Sequence, residues 1–454
     1  MPAVDLVIKN AELVLESGIV RGGIGVTNGK ICIIASDAHL PEADEVIDAG
    51  TKMLIPGLID GHAHIHDLGM EEHEDFTTGS RAAAAGGVTT FIDMPLVSLI
   101  DTESVLDEKI KVGEQMSIVD FAIYGGMLNS DNYHIIPKFI ERGVASFKAF
   151  TCASFYSNAG VITRSLSEVS EHGGIITIHS EDQGILDEFG KDLEGDWDTP
   201  ISHALARPPI AEQLAIRQNI AIAKQTGGHI HIAHVSTRSG VQEIEKGRLH
   251  GVTVTTEVCP HHLVFYRDDM NRLGSKSKMN PPLRTKEDRA ALWSALLRGS
   301  IEMLVSDHAP CPLEKKEAGL DDIREAWSGV DGTQMILRVL LSEGINRGRL
   351  SLSRLVQVTS SNPAKIFGLY PRKGVLQVGS DADMVLIDLT KEEKISSDMM
   401  FSKCGWTLYE GITMKGVPTM TFVRGQKVFE IDRTTINPGH GRFQAMGGTN
   451  QLEV

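Results

Sequence analysis

The chain has 454 residues, 41% hydrophobic and 23% charged, ordinary for a globular protein and too long for one small core. Its formal net charge of −16 argues against nucleic acid or an anionic membrane surface as the main partner. Five scattered cysteines (Cys32, Cys152, Cys259, Cys311, Cys404), none in a Cys-x-x-Cys pair, fit reduced thiols in a cytoplasm, and neither a secretory leader nor a long apolar span is present.

Residues 1–53 read as short strands. "DLVIKNAELVL", "GGIGVTNGKICIIA" and "DEVIDAG" alternate in polarity and are broken by Gly and Asn-Gly turns. From about 54 to 370, eight apolar runs alternate with helix-like segments: "MLIPGLID", "GVTTFIDMP", "IVDFAIYGG", "VASFKAF", "GGIITIHSE", "GGHIHIAHVS", "GVTVTTEVCP" and "IEMLVSDHAP". Eight repeated units of helix, Gly and strand point to an α/β fold, a (β/α)8 TIM barrel, with a doubly wound open sheet as the competing architecture. Residues 373–432 return to strand patterns, as in "KGVLQVGSDADMVLIDL". The expected division is therefore a barrel over 54–372 and one small β-domain built from both termini, 1–53 and 373–454, the latter with a C-terminal tail.

Barrel enzymes work at the C-terminal ends of their strands. In "PGLIDGHAHIH" the first strand ends in His62, His64 and His66, at alternating positions that share one face of a strand. The fourth strand carries Lys148, the fifth His179, the sixth His234, the seventh Glu257 and Cys259, and the eighth Asp307 followed by His308. A lone strand histidine is more often a hydrogen-bonded core residue than a ligand. Several strand ends that agree favour a metal site, because neutral imidazole and carboxylate are the common ligands of Zn²⁺ and similar ions. Lys148 is anomalous, because an ammonium beside a metal is repelled and its burial is costly. The alternative is a lysine that snorkels to solvent.

The motifs "PGLIDGHAHIH", "AAAAGGVTTFIDMP", "SFKAF", "TIHSED", "HIAHVST", "TEVCPHHL", "MNPPLR", "SDHAP", "SSNPAKIFGL" and "GSDADMVLID" stand in one order from about residue 54 to 388. In this the chain resembles the cyclic-amidase branch of the amidohydrolase superfamily: allantoinases, dihydroorotases and hydantoinases or dihydropyrimidinases. The resemblance implies that the terminal strands form a small β-sandwich. It implies two divalent metal ions, zinc foremost, with manganese, cobalt and iron as competitors. His62, His64 and Asp307 would hold one and His179 and His234 the other. Lys148, carboxylated by CO2 to a carbamate, would bridge them. A shared hydroxide would attack a ring carbonyl, and Asp307 would move its proton to the leaving nitrogen. Asn280 of "MNPPLR" would meet the substrate amide through its backbone, and Ser328 and Gly332 of "WSGVDGTQ" resemble the loop that relatives fold against substrate. No organic cofactor is called for.

Substrate choice is less sharply written. Dihydroorotases usually carry Arg and Asn where His66 and Leu96 stand, and losing a bidentate arginine argues against a carboxylated ring. "TTGSRAAAAGGVTTFIDMPLVS" and "GHGRF" resemble allantoinases more closely, which implies ring opening of allantoin to allantoate. Val97 and "HDLGMEEHEDF" depart from that pattern, Ala153 stands where hydantoinases place a tyrosine (with Tyr156 close by), and Cys311 replaces a common histidine. A hydantoinase-like or dihydroorotase-like ring substrate is therefore the runner-up. His66 reads as facing substrate or as a supporting residue, and His308 as a substrate contact or a structural hydrogen bond. Glu181 and Asp182 could sit near the site or cap the next helix, His231 is expected to pack outward, and His261 and His262 to orient their loop. A metal-free scaffold relative is disfavoured because all six ligand positions are present, and a single-metal deaminase because such enzymes lack Lys148. Relatives of this size imply a homo-oligomer, tetramer or dimer, in the cytoplasm, with a small cyclic amide as partner and neither nucleic acid nor membrane.

Overall fold

The computed structural model describes residues 3–96, 99–152, 155–193 and 195–447; Val97 and Ala153 lie outside the described residues. The middle of the chain is a closed barrel of eight parallel strands: Leu58–Ala63, Val88–Asp93, Asp120–Ile123, Ser146–Phe150, Ile175–His179, His229–Ile232, Val254–Val258 and Met303–Leu304. The first three pair in order, as do the fourth to the eighth, with the short strand Gly125–Gly126 beside the fourth. Closure comes where the eighth meets the first. Ala63 bridges His308, Asp307 N–H donates to the His62 carbonyl at 2.9 Å, and His64 N–H donates to the His308 carbonyl at 2.8 Å. An open, doubly wound sheet has no such seam.

Local sequence explains the repeat. Barrel helices begin on side chains that accept the free N–H groups of the first turn: Asp75 from Thr78, Asn158 from Val161, and Thr285 from Asp288 in a reciprocal capping box. Several end on left-handed glycines, such as Gly227 at φ +75° and Gly299 at φ +93°, which turn the chain into the next strand.

Both ends of the chain meet in one nine-stranded sheet. Its centre is Met53–Pro56, parallel to Val4–Leu15 on one side and antiparallel to Met384–Lys394 on the other. Alternation divides its side chains between two cores. Leu54, Met384 and Leu386 pack with Leu6, Ile8 and Phe422, whereas Ile55, Val385 and Ile387 join the main core of the barrel. The fold is thus an α/β barrel with a small β-sandwich domain built from both termini. A buried Lys373 pairs with Asp120 of the third barrel strand (2.6 Å) and with Asp383 (2.7 Å), and fastens the two parts together. The "GHGRF" tail runs beside that strand, with Phe121 N–H donating to the Arg442 carbonyl at 3.1 Å. Among the described residues no helix is long and apolar enough to cross a membrane.

Candidate metal centre

The seam that closes the barrel also assembles the first group of polar side chains. One atom each of His62, His64 and Asp307 lies within 4.8 Å of the others. Asp307 Oδ1 is 3.3 Å from His62 Nε2 and 3.2 Å from His64 Nε2. The opposite ring nitrogens are already committed: His62 Nδ1 to the Glu257 carboxylate at 2.5 Å, and His64 Nδ1 to the Met94 carbonyl at 2.9 Å. Both partners only accept, so each Nδ1 carries the proton and each Nε2 presents a lone pair. Two lone pairs and a carboxylate oxygen then face one another in a buried space, and His62 Nε2 has no hydrogen-bond partner. Such a convergence of acceptors is a cation site in chemical terms.

A second convergence lies beside it. His179 Nδ1 and His234 Nε2 approach to 3.1 Å, His234 Nδ1 has no partner, and His179 Nε2 is held by Glu181 at 2.9 Å. His234 lies two residues beyond the sixth strand, with φ at +32°; Asp307 lies three beyond the eighth, with φ at +47°. Left-handed backbone is uncommon outside glycine, and at these two places it accompanies side chains that line the barrel cavity.

Lys148 lines the same cavity as both groups and is fully buried. No described carboxylate pairs with its Nζ, which lies 4.8 Å from the Phe150 ring centre. Burial, only partly offset by Asp307 and Glu257, lowers its pKa to about 8. The amine is therefore easier to deprotonate than an exposed lysine. The structure thus offers donors for two cations and, on the same cavity wall, a lysine whose buried ammonium is disfavoured.

All six expected ligands line a single cavity of about 740 Å³, together with Asn280 and Ser328. Its remaining wall is largely apolar, with Met70, Leu96, Phe150, Phe155 and Trp327, and Arg207 and Lys315 add charge. His66 does not line it. The first strand stops at Ala63, so strict alternation ends before His66, whose ring packs against His73 and Trp327 at 5.5 and 5.9 Å between centroids. Burial lowers the His66 pKa to about 2, and its Nε2 lacks a partner. His308 is also off the wall, with Nε2 3.1 Å from Glu74 and Nδ1 3.2 Å from Asp331. Neither ring lines the cavity that holds the six donors.

His231, expected to face outward, is fully buried inside the barrel, its Nε2 3.0 Å from Glu257. Alternation along His229–Ile232 is intact; the left-handed turn at His234 breaks the phase that made His231 look external. Glu181 and Asp182 divide the two roles considered for them. Asp182 caps the following helix by accepting from Ile185 N–H, whereas Glu181 binds His179 and Arg207. His262 reaches the Pro281 carbonyl at 3.1 Å and so steadies the segment after Asn280. Sequence reasoning missed Arg207; its only signal is an Arg-Pro-Pro turn before a helix.

The description "Amidohydrolase family" matches residues 53–428. The chain is 35% identical to an L-hydantoinase of Paenarthrobacter aurescens, covering 97% of each, and 33% identical to an allantoinase of Bacillus licheniformis, covering 97% of this chain and 99% of that one. Among solved structures it is similar to the L-hydantoinase (dihydropyrimidinase) from Arthrobacter aurescens, with a TM-score of 0.94 and 34% identity over 97% of this chain and 99% of that one.

Proposed function

We propose, from the premise that this chain belongs to the amidohydrolase family and is a hydrolase of cyclic amides, that it opens the hydantoin ring of a 5-substituted hydantoin. The observation that carries this reading is the joint wall of the cavity: six metal-type donors at its floor and Met70, Leu96, Phe150, Phe155 and Trp327 around it. An apolar substituent at ring carbon 5 suits that wall. Allantoin is itself a hydantoin, with a ureido substituent. It remains the second reading, supported by the "GSRAAAAGGVTTFIDMPL" stretch and by the polar Arg207 on the same wall.

In this reading His62, His64 and Asp307 would hold one divalent ion, zinc foremost, and His179 and His234 a second, with Lys148, as its carbamate, completing the donor set. Bound there, the ions supply Lewis acidity and a water acidic enough to ionise near neutral pH. The side chains do the rest. Glu257 and the Met94 carbonyl fix the ring tautomers of His62 and His64. Asp307, the catalytic residue, takes the nucleophile's proton on its carboxylate and delivers it to the leaving ring nitrogen. Asn280 and Ser328 face the ring amide, and Trp327 limits the entry of bulk water. Chemistry resides in residues 54–372, while 1–53 and 373–454 brace the barrel. The five free cysteines support a cytoplasmic setting. Exposed Leu205, Ile210 and Leu214 support self-association as a dimer or tetramer.

The test is hydrolysis of benzylhydantoin, allantoin, dihydrouracil and dihydroorotate, with bound metal counted on the same sample. Turnover of benzylhydantoin above the others is expected. Turnover of allantoin alone transfers the assignment to the second reading, and a metal-free protein inactive on all four overturns both.

A further inference from the structure

Behind His62 a row of polar side chains runs along the inside of the barrel, away from the catalytic mouth. Glu257 Oε1 lies 2.5 Å from His62 Nδ1, and Glu257 Oε2 lies 3.0 Å from His231 Nε2. His231 Nδ1 is 2.8 Å from Thr255 Oγ1, and the same hydroxyl is 3.0 Å from His229 Nε2. Thr255 and His229 line a separate cavity of about 770 Å³ with Arg248 and Glu302, and it shares no wall residue with the catalytic one. The row therefore connects the floor of the barrel to a ring at its mouth.

Its hydrogen bonds have a fixed direction. Both oxygens of Glu257 meet nitrogen donors, two imidazoles and the His234 backbone amide, which is the surrounding of a carboxylate. A carboxylate accepts only. It receives His62 Nδ1–H, His231 Nε2–H and the His234 backbone N–H, the last at 3.2 Å. With its proton on Nε2, His231 offers a lone pair at Nδ1, so the Thr255 hydroxyl donates to it. That hydroxyl in turn accepts from His229 Nε2–H. One anion thus sets the tautomers of three imidazoles.

We propose that Glu257, His231 and Thr255 are positioning residues that act through this one-way chain. They hold His62 with Nε2 free and aimed at the metal, so a hydroxyl on the opposite face of the barrel contributes to metal affinity. The inference rests on the binuclear reading of the site. Carboxylate partners of ligating histidines fix tautomer and orientation, and their loss weakens metal binding about 10- to 100-fold.

Zinc affinity of the full chain is measured by competition with a chromophoric chelator, and the His62 tautomer in metal-free protein by ring ¹⁵N shifts. Glu257→Gln is expected to lose about 10- to 100-fold in affinity and to mix the His62 tautomers. Thr255→Val should lose affinity in the same direction by a smaller factor, and Thr255→Ser should restore it. Wild-type affinity and an unmixed His62 signal in both Glu257→Gln and Thr255→Val overturn the proposal. An effect in Glu257→Gln alone confines the positioning to that carboxylate and overturns the part assigned to Thr255. If wild type binds no zinc, the binuclear reading fails by itself. The ¹⁵N shifts then still decide the chain: an Nδ1–H His62 in wild type that mixes in Thr255→Val upholds it, and an unchanged signal removes it.

Discussion

Glu74 and His308 meet at 3.1 Å where neither side chain is exposed, and Asp331 closes on the other nitrogen of the same ring. Burial opposes the charge on His308, but Asp331 and Glu74 outweigh it and raise the pKa to about 10. The ring ties the segment after strand eight to Glu74, which also accepts from Ser402 at 2.5 Å.

A dependence of stability on pH follows. The folded pKa lies above the ordinary 6.5, so this stabilisation is complete below about 6.5 and is lost as pH rises through about 10. Urea midpoints at pH 6 and pH 10 should show a fall for the wild type. Glu74→Gln should cost about 3 kcal/mol at pH 6, the scale for breaking a buried pair, and should show a smaller fall. Equal slopes in the two proteins would count against the charged ring.

Removal of one imidazole from the first acceptor group should show in metal content before it shows in folding. His64→Asn is expected to lower bound zinc after dialysis and to cut turnover by more than 100-fold, while circular dichroism stays unchanged. A fully loaded, active variant would refute the assignment of His64.

Lys148→Ala tests the bridge. Without the amine no carbamate forms, so metal content should fall by about half and bicarbonate should no longer speed reloading of the metal-free enzyme. In wild type, reloading should accelerate with added bicarbonate. Indifference of the wild type to bicarbonate would argue for a plain lysine.

The wall that carries Trp327 hangs on two buried amines. Lys316 Nζ donates to the Lys278 and Trp327 carbonyls at 2.7 and 2.8 Å, and Lys278 Nζ donates to those of Arg324 and Ala326, each at 2.6 Å. Lys316→Met leaves the Trp327 carbonyl without its donor, at about 1–3 kcal/mol if it stays dry, while the Lys278 carbonyl keeps the Gly329 N–H at 3.1 Å. The expected result is a KM raised by more than kcat is lowered. The reverse split would place Lys316 closer to the chemistry than its contacts do.

How far the sequence was legible depends on where each strand stops. His62 stands inside a strand and His64 one residue beyond it, so alternation places them together correctly. His66 comes three residues after the strand end, where alternation no longer governs direction, and its ring turns aside toward Trp327. His231 fails for the converse reason: its phase was judged from His234, which owes its direction to a left-handed backbone that no residue type announces. Arg207 and Trp327 reach the wall from loops, which carry no period at all. The barrel itself was readable because helix, glycine and strand recur with little variation.

The nine-stranded sheet sets an order on synthesis. Val4–Leu15 and Met53–Pro56 leave the ribosome before the barrel, but the partner that covers the free edge of Met53–Pro56 is Met384–Lys394, which follows the whole barrel. Throughout translation of the barrel that edge has unpaired amide and carbonyl groups, and chains in that state are open to pairing with one another. Heterologous yield should therefore respond to slower initiation, lower growth temperature and chaperone supply more than to substitutions in the catalytic cavity, and a circular permutant that begins near residue 373 would make both halves of the sheet consecutively.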